Sequence, residues 1–490
     1  MPCHAAYLSA VSHRRVIVVG SGFSGVAMGA RLLDAGIRDF LVLEKGSEVG
    51  GTWRDNRYPG CACDVPSPLY SLSFAPKADW SRAYAPSAEI WQYLRDCVDR
   101  LGLGPHLALD ADVTGATWEG DRWRVRVADG REWTSDALVL GVGGLHMPRR
   151  PDLPGLGTFG GPVMHTADWP DDDGLDGLRV GVVGTGASAV QLVPELAARV
   201  SQLVVFQRTP AWVLPRGDVP VSRWRQRANA RIPLVQKASR ARTYVRNELN
   251  VLGFGRNARL REWVGRRSLE HLASAVSDPV VRAALTPAYE LGCKRVLLSD
   301  DYWPTFARPH VQLVTEPIRE VVPRGVVTGE GTEHELDALV LATGFDLDGS
   351  LARMQITGQD GRTLAQAWSR GRGTHLGISV AGFPELYLLL GPNTALGHTS
   401  VLVMIEAAVD YVIDALRRAD ELGPQVVTAA AQERFGRWLR RRDRHTVWTS
   451  GCQSWYLDER GVNKAIWPAS TVRYRWRTRK VDPRDYEPAS

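Results

Sequence analysis

Short, unbroken apolar runs bounded by glycine recur along the chain, and two of them open the same composite pattern. Val16–Val19 is β-branched throughout and ends at Gly20. It is too short for a helix and too continuous for a strand with one wet face, so it predicts a buried parallel strand. Gly20-Ser21-Gly22-Phe23-Ser24-Gly25 follows, then helical spacing to about Leu33, closed by Gly36, and a second strand, Phe40–Leu43, that ends on Glu44. The pattern returns at Val180–Val183, with the turn Gly184-Thr185-Gly186-Ala187-Ser188-Ala189, a helix to about Val200 and a strand at Leu203–Phe206. Two βαβ units of this kind predict an α/β fold with two Rossmann-like dinucleotide-binding domains.

Around these units the pattern changes. Arg122–Val127 and Ala137–Leu140 read as strands, and Gly141-Val142-Gly143-Gly144 ends the first block. Pro148–Pro154 is proline-rich and predicts an interdomain linker. Residues 221–290 have helical spacing, no strand-type glycine turns and many arginines, which predicts a helical insertion. Strand patterns resume at Val311–Val314 and Ala338–Ala342, the latter running into Thr343-Gly344-Phe345. The remainder is mixed α/β and closes on an aromatic, basic tail with Trp455, Tyr456, Trp467, Tyr474 and Trp476.

A glycine turn alone says little; its context types it. In the first turn Gly20 suits the tight bend, Gly22 lets the backbone approach a pyrophosphate, and Gly25 lets helix and strand pack closely. Glu44 stands 24 positions after Gly20, near the spacing at which a carboxylate binds a ribose hydroxyl. In the second turn, Gly184, Gly186 and Ser188 are the candidate cofactor contacts, and Ala189 replaces the third glycine. Its second strand ends on Gln207-Arg208-Thr209, with no acid. A carboxylate there would repel a 2′-phosphate, whereas the Arg208 guanidinium binds one in a two-pronged geometry. The N-terminal site is therefore expected to take FAD and the second NADP, which makes a flavoprotein reduced by NADPH. The expected organisation is an FAD-binding domain from 1–147 and 346–490, an NADP-binding domain from 148–220 and 291–345, and the insertion at 221–290.

Composition narrows the class without changing it. Of 490 residues, 44% are hydrophobic and 23% charged, which excludes a disordered, collagen-like or disulfide-scaffold chain. The net charge of +6, from 60 basic and 54 acidic residues, is too mild over this length to imply nucleic acid. No run approaches the roughly 18 apolar residues of a membrane span. Ala5–Val11 is apolar but short, runs through Arg14-Arg15 into a strand, and lacks the order of a signal peptide. With only 6 cysteines, as in a reducing compartment, the expectation is a cytoplasmic protein with no integral membrane association.

Two further stretches are distinctive. Phe159-Gly160-Gly161-Pro162-Val163-Met164-His165-Thr166-Ala167-Asp168-Trp169-Pro170 fits F-x-G-x-x-x-H-x-x-x-W-P, and Gly50–Asp64 fits G-G-x-W-x-x-x-x-Y-P-G-x-x-x-D. Together they resemble the two fingerprints of type I Baeyer–Villiger monooxygenases, and with both nucleotide motifs, Ala342-Thr343-Gly344 and Gly391-Pro392-Asn393 the resemblance covers nearly the whole chain. It implies an NADPH- and O₂-dependent enzyme that converts a ketone to an ester or lactone through a C4a-peroxide of its FAD. It also implies roles. Arg295 corresponds to the catalytic arginine beside flavin and nicotinamide, and Asp64 to the carboxylate that orients it. Lys294 joins Arg208 and Thr209 at the 2′-phosphate, Trp455 corresponds to a tryptophan that contacts the nicotinamide nucleotide, and Trp53 lies near the cofactors.

Other readings stay open. A flavin monooxygenase oxidising nitrogen or sulfur would need Arg295 less, and a basic binding protein keeping cofactor sites as structure would not need Asp64, Lys294 and Arg295 together. His165 reads as a structural or hinge residue rather than a base. Cys61 and Cys63 read as core or loop cysteines, since the spacing is too tight for a redox pair and no companion ligands suggest a metal. Between Val221 and Glu270 stand 13 Lys or Arg (Arg223, Arg225, Arg227, Arg231, Lys237, Arg240, Arg242, Arg246, Arg256, Arg259, Arg261, Arg266 and Arg267) against Glu248, Glu262 and Glu270. No nucleic-acid-binding motif accompanies them, so they read as a solvated basic face or as an attractor for an acidic substrate or a membrane surface.

Overall fold

The computed structural model describes residues 11–489 except 256, 348, 370, 452 and 453. The chain before Val11, with Cys3, and Arg256, Cys452 and Gln453 therefore lie outside the described residues. Among them, an eight-stranded mixed sheet and a five-stranded parallel sheet dominate. The first is built from β1 (Ser12–Val19), β2 (Phe40–Leu43), β3 (Leu107–Ala108), β4 (Val113–Trp118), β5 (Trp123–Val127) and β6 (Glu132–Leu140), with Gln355–Thr357 and Leu386–Leu388 added from far along the chain. β1 lies between β2 and β6, parallel to both, so its four apolar residues from Val16 are covered on each face and almost fully buried. β4, β5 and β6 form an antiparallel meander.

The second sheet holds β7 (Val163–His165), β8 (Arg179–Val183) and β9 (Gln202–Phe206), joined by Val311–Val314 and Ala338–Leu341, and every pairing is parallel. The proline-rich stretch after Met147 carries the chain from one sheet to the other. A return crossing passes beside it, where Pro148 bridges Phe345.

Helices α1 (Phe23–Asp34) and α4 (Ala187–Leu196) follow β1 and β8, and their apolar faces pack on the sheets. A single helical turn, α2 (Thr52–Asp55), and a 14-residue helix, α3 (Ser87–Arg100), lie between β2 and β3. Among the described residues, 221–290 hold five helices, α5 (Arg223–Arg231), α6 (Pro233–Leu249), α7 (Val251–Phe254), α8 (Ala258–Ala275) and α9 (Pro279–Ala284). The 21-residue helix Leu402–Leu422 packs against α1 and supplies much of the first core. No described helix is long and apolar enough to cross a membrane.

Two buried carboxyls shape stability. Asp443 is pushed up to about 7 by burial, with the Asn463 side chain donating to it at 2.8 Å. Glu385 is pushed up to about 7 for the same reason, while accepting from the Gln425 N–H and the Tyr387 hydroxyl. The folded state therefore holds protons between about pH 4 and 7 that the unfolded chain has lost, and stability falls as pH rises through that window by up to about 1.4 kcal/mol per pH unit for each group. Thermal unfolding followed from pH 5 to 8 is expected to show a falling midpoint that levels above 7. Asp443→Asn should flatten the profile and gain most at pH 8; a variant whose gain is the same at both ends would contradict the assignment.

Candidate active site

Both glycine turns adopt the conformations that their residues suggest. Gly20 has φ 96°, and a Cβ on Gly25 would stand 1.8 Å from the Gly20 carbonyl oxygen, so no larger residue fits there. Gly22 begins α1 with no capping side chain and no acid in the first turn, and a Cβ on it would meet nothing nearer than Gly51 Cα at 3.7 Å. The result is an open helix N-terminus lined by backbone, which suits a pyrophosphate. At the second turn Gly186 begins α4 in the same uncapped way, with no atom within 4 Å of an added Cβ. Ser188 is buried in the first turn of α4, and the Thr185 hydroxyl donates to the Thr209 carbonyl at 2.9 Å.

Glu44 closes the first site. Its Oε2 accepts from the Ser21 N–H at 2.8 Å and the Ser21 hydroxyl at 2.7 Å, and its Oε1 from Gly46 N–H and the Arg54 guanidinium, both at 2.9 Å. Burial opposes its charge, but Arg54 and the two N–H groups hold it below the ordinary carboxylate range. Arg54 went unassigned in the sequence reading; its place in the G-G-x-W stretch is the one signal that could have found it.

Asp64 and Arg295 both stand on loops. Arg295 sends Nε and Nη2 to one oxygen of Asp64, Oδ2, at 2.8 and 2.6 Å, and Nη1 reaches the Leu396 carbonyl at 3.5 Å. The pair is two-thirds or more sheltered, at 33% and 27% side-chain exposure. Asp64 raises the guanidinium further above its ordinary value, so Arg295 carries its charge at any working pH. Tyr456, fully buried, is pushed up to about 12 by burial although Arg295 pulls the other way. It is a neutral hydroxyl beside the arginine. Nothing local in the sequence marked Tyr456 for that role.

Lys294 precedes Arg295 and is lowered by burial and then by the charge of Arg208, with no carboxylate among the influences on it. Its ammonium lies 4.7 Å from the Tyr289 ring centroid. Arg208 is exposed at the end of β9. Two cations that repel one another at the mouth of a parallel sheet could hold an anion. Trp53 donates from Nε1 to the Tyr70 hydroxyl at 3.1 Å and packs against both major cores. Trp455 stands apart, 42% exposed, with its ring 4.3 Å from Tyr456.

His165 is buried at the end of β7. Its Nδ1 accepts from Ala167 N–H at 3.0 Å, Nε2 lies 3.3 Å from the Thr343 hydroxyl, and burial lowers it to about 4. That neutral, doubly engaged ring sits where the two strand ends meet. Cys61 and Cys63 are buried free thiols; burial pushes Cys61 up to about 11 and Cys63 well above its ordinary value, which leaves both unreactive. Cys293, in contrast, is disulfide-bonded, a feature that the reducing-compartment reading of sparse cysteines did not anticipate.

The family described as pyridine nucleotide-disulphide oxidoreductase matches residues 17–248. A Baeyer–Villiger monooxygenase of Streptomyces coelicolor is 42% identical over 481 residues, covering 97% of this chain and 92% of that protein. The chain belongs to the Baeyer–Villiger monooxygenase family. Among solved structures, cyclohexanone monooxygenase from Rhodococcus sp. Phi1 bound to NADP⁺ aligns with TM-score 0.88 at 28% identity over 98% of this chain and 100% of that one. The OTEMO complex with FAD and NADP aligns with TM-score 0.87 at 28% identity over 95% of this chain and 97% of that one.

Both Baeyer–Villiger fingerprints touch the site. In the first, the Gly50 N–H donates to the Ser21 carbonyl at 3.1 Å, a Cβ on Gly51 would lie 3.1 Å from Gly22 Cα, and Asp64 ends the motif on Arg295. The second runs through β7 and places His165 beside Thr343.

Proposed function

We propose that Arg295, oriented by Asp64, is the catalytic residue of a ketone-oxygenating site lying between an FAD-binding turn and an NADP-binding turn. The enzyme is an NADPH- and O₂-dependent flavoprotein of the Baeyer–Villiger type, acting on a ketone to give an ester or lactone. FAD, when bound, accepts hydride from NADPH and activates O₂. The open N-terminus of α1 fits its pyrophosphate, and Gly20, Gly22, Gly25 and Glu44 would hold its adenosine half. Gly184, Gly186 and Ser188 would hold the NADP pyrophosphate, and Arg208, Thr209 and Lys294 its 2′-phosphate. Trp53 and Trp455 would flank the cofactors. The same proposal assigns 1–147 and 346–490 to the FAD-binding domain, 148–220 and 291–345 to the NADP-binding domain, and 221–290 to the insertion. Three free cysteines among the described residues support a cytoplasmic placement; the disulfide at Cys293 stands against it.

The chemistry assigned to this chain is positional and electrostatic. Oxygen transfer to a carbonyl develops negative charge, and a guanidinium already fixed by Asp64 meets that charge without reorganising. Asp64 spends both contacts on one oxygen of its carboxylate and leaves Nη1 facing the Leu396 carbonyl, so the arginine plane is set before substrate arrives. Tyr456, buried beside Arg295, adds a hydroxyl that stays protonated.

The single observation that carries this reading is the Arg295–Asp64 pair standing next to the Lys294–Arg208 cation pair. A panel of cyclic, linear and aryl ketones, run beside a thioether and an amine with product analysis, tests it. Ester or lactone from at least one ketone is expected. Products confined to the thioether or amine would replace it with the nitrogen- or sulfur-oxidising reading.

The FAD assignment makes its own prediction. Glu44→Gln removes the charge that binds a ribose hydroxyl, a contact worth about 1.5–3 kcal/mol, so FAD affinity should fall roughly 10- to 150-fold. Flavin absorbance retained after gel filtration, read beside the apoprotein's unfolding midpoint, checks it. Full flavin retention would move the ribose contact elsewhere.

A further inference from the structure

Helix α6 of the insertion is amphipathic the wrong way round for a surface helix of a globular protein, whose apolar stripe ordinarily faces the core. The inward side of α6 is polar. Arg240 donates to the Ser71 carbonyl at 2.8 Å, Asn247 is buried, and Glu248 accepts from the Thr471 N–H and hydroxyl at 2.6 and 2.8 Å. The Tyr244 hydroxyl meets that same Thr471 hydroxyl at 2.9 Å.

Its outward side is apolar. Leu234, Ala238, Ala241, Val245 and Leu249 recur at spacings of three and four, so they form one stripe about 24 Å long. All five are exposed, Leu234 at 75%, Val245 at 56% and Leu249 at 59%. Leu252 extends the stripe at 57%, and Trp224 on the neighbouring helix α5 is 77% exposed. Exposed cations flank it: Arg223, Arg225, Arg227 and Arg231 from α5, and Lys237, Arg242 and Arg246 from α6. Glu248 is the one acid on either helix and it faces inward.

We propose that this face docks peripherally on an anionic lipid bilayer. A long apolar stripe with arginine and lysine on its flanks and a tryptophan at its edge is what lies in a headgroup plane, apolar side down and cations toward the phosphates. Charge decides between occupants. A second copy docked through the same face would bring like sets of cations together with no acids to meet them, which opposes self-association. The inward anchors, Arg240 and Glu248, hold the helix by its polar side and leave the stripe free to insert without unfolding anything.

Cosedimentation of the holoprotein with vesicles tests this, using phosphatidylcholine alone and phosphatidylcholine with phosphatidylglycerol. Binding to the anionic vesicles, weakened by salt, and none to the neutral ones is expected. Neutralising Arg231, Lys237 and Arg242 together to glutamine should lower partitioning by about a hundredfold. The triple variant Leu234→Gln, Val245→Gln, Leu249→Gln should abolish it, and NADPH oxidation without vesicles should be unchanged in both, since these side chains touch no site residue. Equal or absent binding to the two vesicle types would overturn the proposal, as would anionic binding that survives loss of the stripe. So would a wild-type dimer, indifferent to vesicles, that the stripe variant converts to monomer: the occupant would then be a second copy of the chain.

Discussion

Arg295→Ala is expected to bind FAD and to accept hydride from NADPH at close to the wild-type rate, yet to make ester or lactone 10² to 10³ more slowly. The two halves of the result have separate causes. Hydride transfer needs a nicotinamide held against the flavin, and the contacts at α1, α4, Arg208 and Lys294 that would provide this lie outside Arg295. Oxygen transfer develops negative charge, and losing one preorganised donor to such charge costs about 3–4 kcal/mol at the transition state. NADPH consumption should continue and release hydrogen peroxide. Arg295→Lys should recover little. The guanidinium meets Asp64 with two nitrogens while its third reaches Leu396, and an ammonium has no planar fork to reproduce that. Anaerobic reduction by NADPH, followed by rapid mixing with O₂ and ketone, separates the steps. Ester formation at the wild-type rate in Arg295→Ala would remove the residue from the chemistry.

The nucleotide preference should be nearly as sensitive. Arg208→Ala is expected to erode the advantage of NADPH over NADH by about 10- to 150-fold in kcat/KM, chiefly through KM. Arg208 is exposed at the end of β9. Its charge is felt by Lys294, the second cation at the same end of the sheet. Removing one cation leaves the other, so binding of NADPH should weaken rather than vanish. NADH, which lacks the 2′-phosphate, should be nearly unaffected. Steady-state kinetics with both coenzymes checks this, and an unchanged ratio would place the 2′-phosphate elsewhere.

What the sequence disclosed, and what it withheld, follows from the range of the interactions involved. The two glycine turns were legible because each is a local matter: a strand end, a tight bend and a helix start within ten residues, with the acid or arginine at the end of the next strand. β2 appears at Phe40–Leu43 as its apolar run suggests, and β1 and β6 start a few residues before their apolar runs, at positions that pair with one another and that no local pattern reveals. The long helix Leu402–Leu422 and the three-stranded antiparallel sheet from Ile318 to Glu335 lay in stretches read only coarsely. The Arg295–Asp64 pairing came from the family resemblance, because nothing in composition joins two loops that meet only after both sheets have formed. Tyr456 was missed for that reason. On α6 the density of arginine was plain, but only the fold reveals that Arg240 and Glu248 turn inward and leave leucine and valine in solvent.

The most direct test of the central claim is a single experiment on the reduced wild-type holoprotein. It is mixed with isotopically labelled O₂ and, in turn, each ketone of the panel, and the product is analysed by mass. If Arg295 and Asp64 serve a ketone-oxygenating site, the ester or lactone will carry one labelled oxygen atom, in stoichiometry with the NADPH spent. Labelled hydrogen peroxide as the sole product, with the ketone recovered unchanged, would contradict it.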